Sequence, residues 1–311
     1  MRITLFATLI LMAACASTQE IESVDPVVLS WNVSGHAFVD HPAEFRTILE
    51  YARPNIVLLD EVAPTADAAE LLDALPDARW HISIGASGGR QRGAIASRFP
   101  LEALPEFAGV LPFPEEPRRR IEEMMEPREH ARFASRLGDG IAVNAALVLA
   151  GGKRLLVVVA DLECCGNDPA SWAELKRRVE AEEIRRRVRQ VLARTSVDAI
   201  ILAGDFNLVS TPIPLVLLSG PYSPPNAGLI AAEVYGEDGR RTWTWDGRGT
   251  PFPSRALDYQ LYSPATLRAD TGRIIDTEDM SAKTLEQHGL SKNLTRSLSG
   301  HRPLVVEYAW Q

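Results

Sequence analysis

The chain has 311 residues, of which 46% are hydrophobic and 24% charged, a make-up ordinary for a globular protein and long enough for one large domain or two small ones. Its net charge of −8 argues against a general grip on a polyanion such as DNA, which wants a basic stripe. A single phosphate ester remains admissible as a substrate, because a bound divalent cation supplies positive charge locally.

Met1-Arg2 precede an apolar run from Ile3 to Met12 broken only by two threonines, and Ala13-Ala14-Cys15-Ala16-Ser17 follow. This is a short positive n-region, an h-region too short to span a membrane, and a small-residue cleavage site. Small residues before Cys15 resemble the bacterial lipoprotein signal, in which the cysteine is lipidated and becomes the new N-terminus. Ordinary cleavage after Ala14-Cys15-Ala16 is the competing reading. Either one predicts an exported chain. Residues 1–15 are then the signal peptide, 16–26 a polar tether and 27–311 the folded domain. That domain sits on the periplasmic side of the cell envelope, membrane-anchored if Cys15 is acylated.

The folded part opens with a strand, Val27 to Val33, that carries Asn32 near its end. Asp40 is the expected N-cap of a helix with Pro42 in its first turn and Phe45, Ile48, Leu49 and Ala52 as its apolar stripe. Ile56–Leu59 is a buried strand ending in Asp60-Glu61. A helix over Ala66–Leu75 and a strand over Trp80–Ile84 come next. Gly85 to Gly93 lacks the Lys-Ser/Thr of a phosphate-binding loop and reads as a hairpin turn into the strand Ala94–Ser97. Pro112 to Arg136, dense in charge and proline, reads as a surface excursion or partial helix. A lid that contacts phosphate is the sharper alternative.

Ile141–Leu149 and Leu155–Ala160 form a hairpin turning at Gly151-Gly152, and it delivers Asp161 to the loop Cys164-Cys165-Gly166. For these adjacent cysteines a vicinal disulfide, free thiols and metal ligation all stay open, with a structural role favoured. Ser171 and Glu174 make a capping-box pattern that opens a long helix to about Arg194, whose interleaved charges predict an exposed, ion-paired face. Ala199–Ala203 is a buried strand running into Gly204, Asp205 and Asn207, and alternation sends Asp205 and Asn207 to one face. A proline-rich loop from Thr211 to Pro225 follows, then strands over Thr242–Trp245 and Ala256–Tyr262, the latter with Asp258. Ser299-Gly300-His301-Arg302-Pro303 leads into the last strand, Leu304–Tyr308. Strands outnumber helices and several connections are short, which predicts a two-sheet core with helices outside.

Polar residues therefore recur at the ends of apolar strands: Asn32, Glu61, Asp161, Asp205 with Asn207, Asp258 and His301. Each alone is an ordinary turn residue or a hydrogen-bonded histidine. As a set they can bind a hard cation, orient a water and meet a phosphate.

In order and in flanking sequence, Ser30-Trp31-Asn32-Val33, Ile56 to Val62, Gly93 to Leu101, Gly204-Asp205-Phe206-Asn207, Leu257-Asp258-Tyr259 and Ser299 to Pro303 resemble the endonuclease/exonuclease/phosphatase superfamily, the DNase I-like phosphodiesterases. The resemblance implies an α+β fold: a four-layered αββα sandwich, two mixed β-sheets packed face to face with helices outside. It implies a Mg²⁺ (or Mn²⁺) held by Glu61 with Asn32 and Asp205 beside it. Asp205 would orient or deprotonate the attacking water, Asn207 would hold a phosphate oxygen, and His301, steered by Asp258, would meet the phosphate. The expected activity is metal-dependent hydrolysis of a phosphodiester, whether in nucleic acid, nucleotide or phospholipid headgroup.

Three positions depart from the family pattern. Asp60 stands where Gln is usual, Gly300 where Asp is usual, and Asp161 where a phosphate-facing His is usual. An anion beside a phosphodiester repels it unless it is protonated or bound to metal. Asp161 is therefore either a replacement metal ligand, the mark of a different substrate, or a sign of a catalytically silent envelope protein on the same fold.

Overall fold

Side chains of a strand alternate between faces, and this alternation builds every layer of the molecule. The computed structural model describes residues 24–76, 79–86, 88–89 and 91–311. The expected signal segment with Cys15, and residues 16–23 of the tether, lie outside the described residues. The strands are β1 (Val27–Gly35), β2 (Ile56–Val62), β3 (His81–Ile84), β4 (Arg92–Ser97), β5 (Leu101–Ala103), β6 (Ala142–Ala150), β7 (Lys153–Asp161), β8 (Ala199–Asp205), β9 (Ile230–Ala231), β10 (Tyr235–Gly236), β11 (Asp258–Tyr262), β12 (Leu267–Ile274) and β13 (Leu304–Trp310). The α-helices are α1 (Ala37–Asp40), α2 (Pro42–Ala52), α3 (Ala68–Ala74), α4 (Glu115–Met124), α5 (Pro127–Phe133), α6 (Trp172–Arg194), α7 (Ile213–Leu218), α8 (Ala282–His288) and α9 (Leu294–Leu298).

One sheet has the order β10-β12-β13-β1-β2-β4-β3 and the other β5-β6-β7-β8-β11-β9. Both are mixed. β1 runs parallel to β2 and β7 parallel to β8, whereas β1–β13, β2–β4, β6–β7 and β8–β11 are antiparallel. Parallel neighbours need a crossover; α1–α2 supply it between β1 and β2, and α6 between β7 and β8. Between the sheets, Val28, Ile56, Leu58 and Ile95 meet Val157, Val159, Ile201 and Ala203 in a fully buried cluster. Leu29, Trp31, Val57 and Leu59 point the other way, under Phe38, Phe45, Ile48 and Leu71 of the first helical layer. Leu156, Val158, Ile200 and Leu202 do the same on the second sheet, under Ile121, Ile184, Val188 and Leu218. The result is the four-layered αββα sandwich. Each fully buried aliphatic contributes about 1.5–3 kcal/mol, so Leu58→Ala would cost roughly 2–5 kcal/mol.

Several local expectations need correction. Asp40 closes the single turn of α1, and His41 is the residue that precedes α2, so the expected cap is one residue early while Pro42 keeps its place. The chain turns sooner because Ala37 and Phe38 bury into the outer core. Thr242–Trp245 forms no strand: Trp245 makes only single bridges, to Arg255 and to His301, and so ties two loops together. The segment Pro112–Arg136 folds as α4 and α5, anchored by buried Ile121. Gly85–Gly93 is the expected hairpin, with the Gly85 N–H donating to Gly93 O at 2.8 Å. The face of α6 is not wholly solvated, because Glu174, Lys176, Arg177 and Glu180 are buried. The expected loop Thr211–Pro225 contains helix α7, packed through buried Pro214 and Leu218, and strands β5, β9, β10 and β12 and helices α8 and α9 are additions the sequence did not announce. No described helix is long and apolar enough to cross a membrane.

Candidate active site

The inward column of each central strand changes from aliphatic to polar at one end of the sandwich. Val28 is followed by Ser30 and Asn32, Leu58 by Asp60, Val159 by Asp161, and Ala203 by Asp205. β11 runs antiparallel to β8 and pairs Asp258 directly with Asp205, while parallel pairing sets Asn32 beside Asp60. A period of two thus brings five of these residues to one place, all buried.

Glu61 does not follow that rule. Alternation would turn it outward, but its φ is +51° and the pairing of β2 is irregular here, between Leu59 and Val62 against β4. Such a non-glycine conformation costs on the order of 1–3 kcal/mol and persists where the surroundings over-determine it. The bulge brings a Glu61 carboxylate oxygen, together with oxygens of Asp161 and Asp205, within 4.8 Å of one another.

Asp205 is held on both oxygens. Asn32 Nδ2 donates to Oδ2 at 3.2 Å and the Asn207 N–H to Oδ1 at 2.9 Å. The Asn32 carbonyl in turn accepts the Ser34 N–H at 3.1 Å, which fixes the direction of its amide. Asn207 lies beyond the end of β8 at φ +48°, so strand alternation is not what places it. Its Nδ2 donates to Leu162 O at 2.8 Å, and the residue lines the same cleft as Asp205 and His301. Gly204 permits this geometry: its φ is +132°, and a Cβ there would lie 2.1 Å from Ala160 O.

His301 is clamped through its backbone as well as its ring. Nδ1 faces Asp258 Oδ2 at 2.9 Å, leaving Nε2 to point toward Asp205 Oδ2, 3.7 Å away. Thr244 Oγ1 accepts the N–H groups of Leu257 and Asp258, both at 3.0 Å, and donates to Asp258 Oδ2. Ser299 Oγ donates to Asn32 O at 2.7 Å and accepts the His301 N–H at 3.0 Å, and Trp31 Nε1 donates to His301 O at 3.0 Å. Fully buried Arg302 bonds Asp276 at 2.8 Å, Asp246 at 2.9 Å and Ser299 O at 3.2 Å, locking the loop from behind.

Burial works against His301 ionising, but the Asp258 and Asp205 carboxylates overcome it and push its pKa up to about 10. Burial raises Asp205 to about 8 against the pull of His301. Asp161 is raised well above its usual value by burial and then by the Glu61 charge. Asp60 is raised too, by burial and then by Asp258, and neither of its buried oxygens has a hydrogen-bond partner among the described residues. Negative charge is in excess and oxygens are unsatisfied, which is the donor set of a hard divalent cation. Glu61, Asp161 and Asp205 fit one.

The loop after Asp161 frames this centre. Cys164 and Cys165 are free thiols with Sγ atoms 3.1 Å apart, and neither belongs to a metal-ligand group among the described residues. Cys165 and Gly166 both have positive φ, 67° and 69°, and a Cβ on Gly166 would sit 2.7 Å from Ala173 Cβ. Arg177, 0% exposed, reaches from α6 to the carbonyls of Glu163 (2.8 Å), Cys165 (2.6 Å) and Gly166 (3.0 Å) and pairs with Glu174 at 3.0 Å. Lys176 pairs with both Glu163 and Glu180. Sequence reasoning missed Thr244, Ser299 and Arg177. The signal for Arg177 was present as a cation in the buried first turns of α6, read there as part of a solvated face.

Among known proteins, the sequence profile described as the Endonuclease/Exonuclease/phosphatase family matches residues 29–296. No curated protein sequence matches the chain significantly. Of solved structures, truncated TDP2 from Caenorhabditis elegans is similar with a TM-score of 0.57 at 16% identity, over 92% of this chain and 98% of that one. The 3′ phosphatase NExo from Neisseria, bound to a product DNA hairpin, gives 0.54 at 19% identity over 92% and 100%. The human Nocturnin catalytic domain with bound sulfate gives 0.53 at 18% identity over 93% and 97%. At such identities the likeness is one of fold.

Proposed function

This chain belongs to the endonuclease/exonuclease/phosphatase family, and from that premise and the geometry above we propose that it is a divalent-metal-dependent phosphodiesterase. The observation that carries the proposal is the gathering of Glu61, Asp161 and Asp205 oxygens within 4.8 Å beside the His301–Asp258 pair. Glu61, Asp161 and Asp205 would hold Mg²⁺ or Mn²⁺, with Asp161 as a carboxylate ligand in a site where Gly300 supplies none. When bound, the cation neutralises charge developing on the phosphoryl oxygens.

The rest of the chemistry belongs to the chain. Asp205, fixed by Asn32 and the Asn207 N–H, orients the attacking water and accepts its proton at Oδ2. His301 keeps one ring N–H on Asp258 and presents Nε2–H to a phosphate oxygen, as an imidazolium stabilised by that carboxylate. Asn207 spends one Nδ2–H on Leu162 O and has a second to offer the substrate. Asp161 makes no ion pair with a described cation, so no salt bridge closes the site. That supports the enzyme over the catalytically silent alternative.

Hydrolysis of bis-p-nitrophenyl phosphate by the soluble domain with Mg²⁺ or Mn²⁺ tests this. Turnover should depend on metal and fall by about 10²–10⁴-fold in His301→Ala and Asp205→Asn. Absence of turnover with either metal, together with no metal-induced thermal shift, overturns the proposal. We also propose that the enzyme is exported and lipidated at Cys15, on the pattern from Met1 to Ser17. Incorporation of a labelled fatty acid that Cys15→Ser does not abolish would refute lipidation.

A further inference from the structure

The proposed metal-ligating carboxylates lie where two cavities meet, each of about 310 Å³, with Glu61 and Cys164 on the wall of both. Their chemistry is unlike. The first holds Glu61, Asp139, Asp161, Glu163 and Glu180 against Arg136 and Lys176. Lys176 is consumed by Glu163 and Glu180, and Arg136 approaches Glu163 at 3.9 Å. Five acids face two cations in this cavity, and both cations are already engaged by Glu163 and Glu180. Asp161, 7% exposed, has no side-chain hydrogen bond among the described residues, so the cavity also offers an acceptor oxygen that no described group satisfies. A second phosphate is repelled there; an uncharged polar or cationic group is accepted.

The second cavity contains the His301 face of the centre and has a largely apolar wall of Val209, Trp245, Phe252, Pro253 and Leu257. Phe252 is 53% exposed, a large apolar side chain left at the rim. Besides the His301 imidazolium, Arg255 brings a cation to this cavity. Its Nη1 donates to Val209 O at 2.7 Å, its backbone pairs with Trp245, and it forms no ion pair among the described residues. A preorganised guanidinium with spare N–H donors, opposite a cluster of acids, is placed for a phosphate oxygen.

Resting on the phosphodiesterase reading, we infer that the substrate is a small amphiphilic phosphodiester. Its polar, uncharged or cationic arm occupies the acidic cavity, its apolar arm lies along Trp245 and Phe252, and a non-bridging phosphate oxygen meets Arg255. A polynucleotide is a poor fit because its phosphates continue on both sides of the scissile bond, and one of those sides is acidic here.

The test follows hydrolysis by ³¹P NMR with Mn²⁺ for octyl phosphocholine, methyl phosphocholine, a deoxydinucleotide and a deoxyoligonucleotide, with bis-p-nitrophenyl phosphate as reference. The octyl ester should exceed both nucleic-acid substrates at least tenfold in kcat/KM. Phe252→Ala should raise KM for the octyl ester about 5–20-fold and leave the methyl ester unchanged, the size expected for losing one apolar contact surface. Arg255→Ala should raise KM for every ester, and Arg255→Lys should restore part of it. Turnover of the reference ester with nucleic acids preferred, or Phe252→Ala affecting both phosphocholine esters equally, would sink the substrate assignment alone. No turnover of anything, reference included, would sink the phosphodiesterase reading beneath it.

Discussion

Replacing Arg177 with Met removes the α6 side chain that holds three carbonyls of the cysteine loop. The guanidinium is 0% exposed, reaches three loop carbonyls and pairs with Glu174, itself 0% exposed. Breaking a buried pair by deleting one partner costs roughly 3–5 kcal/mol, and each carbonyl left dry adds to that. Two features put the value at the low end. Glu174 keeps Arg178 at 2.9 Å and the Thr211 hydroxyl, and the neighbouring thiols are exposed, so water can reach the loop. A loss of about 3 kcal/mol corresponds to about 6–12 °C in Tm for a domain of this size. Arg177→Lys keeps the charge but reaches fewer carbonyls, so it should recover only part. Calorimetry on both variants gives the stability, and bis-p-nitrophenyl phosphate kinetics give the consequence for the site, a higher KM from a loosened cavity wall. A loss below about 1 kcal/mol for Arg177→Met would refute the idea that this arginine anchors the loop.

Other substitutions separate charge, conformation and space. Asp161→Asn removes like-charge repulsion from Glu61 and Asp205, so the metal-free protein should melt higher while Mn²⁺ binds at least tenfold more weakly, about 1.4 kcal/mol; calorimetric titration showing unchanged affinity would contradict the ligand role. Gly204→Ala forces a Cβ against Ala160 O at positive φ and should cost about 2–4 kcal/mol in urea unfolding. Gly300→Ala meets only Trp245 at 3.7 Å and should stay within about 0.5 kcal/mol of wild type, so equal costs for the two glycines would undo this contrast. Burial alone would raise Asp246, but Arg248 and then Arg302 hold its carboxyl below the usual carboxylate range. Its folded pKa is thus depressed below the unfolded value of about 4, so its stabilisation is complete above that pH and is lost as pH falls below it. Between about pH 6 and pH 3, wild type should lose more Tm than Asp246→Asn; parallel curves would show that the pair is not linked to acid unfolding.

The sequence by itself determined the layers and most of the rim. Apolar residues at a period of two fix which side of each strand is buried, and a polar residue ending such a column must emerge at the sheet edge, so Asn32, Asp161, Asp205 and Asp258 were legible before any coordinates. Helix α6 was legible from its Ser171 cap and its length. What the sequence left open depends on contacts between residues far apart in the chain. Glu61 reaches the site only because a bulge turns it against its own alternation, and the bulge is set by two neighbouring strands. Thr242–Trp245 looked like a strand because its residues favour one, yet no partner strand lies beside it, and Trp245 instead joins Arg255 to His301. The charges of α6 looked solvated because period and propensity do not reveal what covers a face. Tertiary packing laid the cysteine loop over that face and made Arg177 and Lys176 interior cations. The division of the cleft into an acidic and an apolar half was likewise decided in three dimensions, by the 136–140 segment, the cysteine loop and the 245–255 loop meeting around one carboxylate cluster.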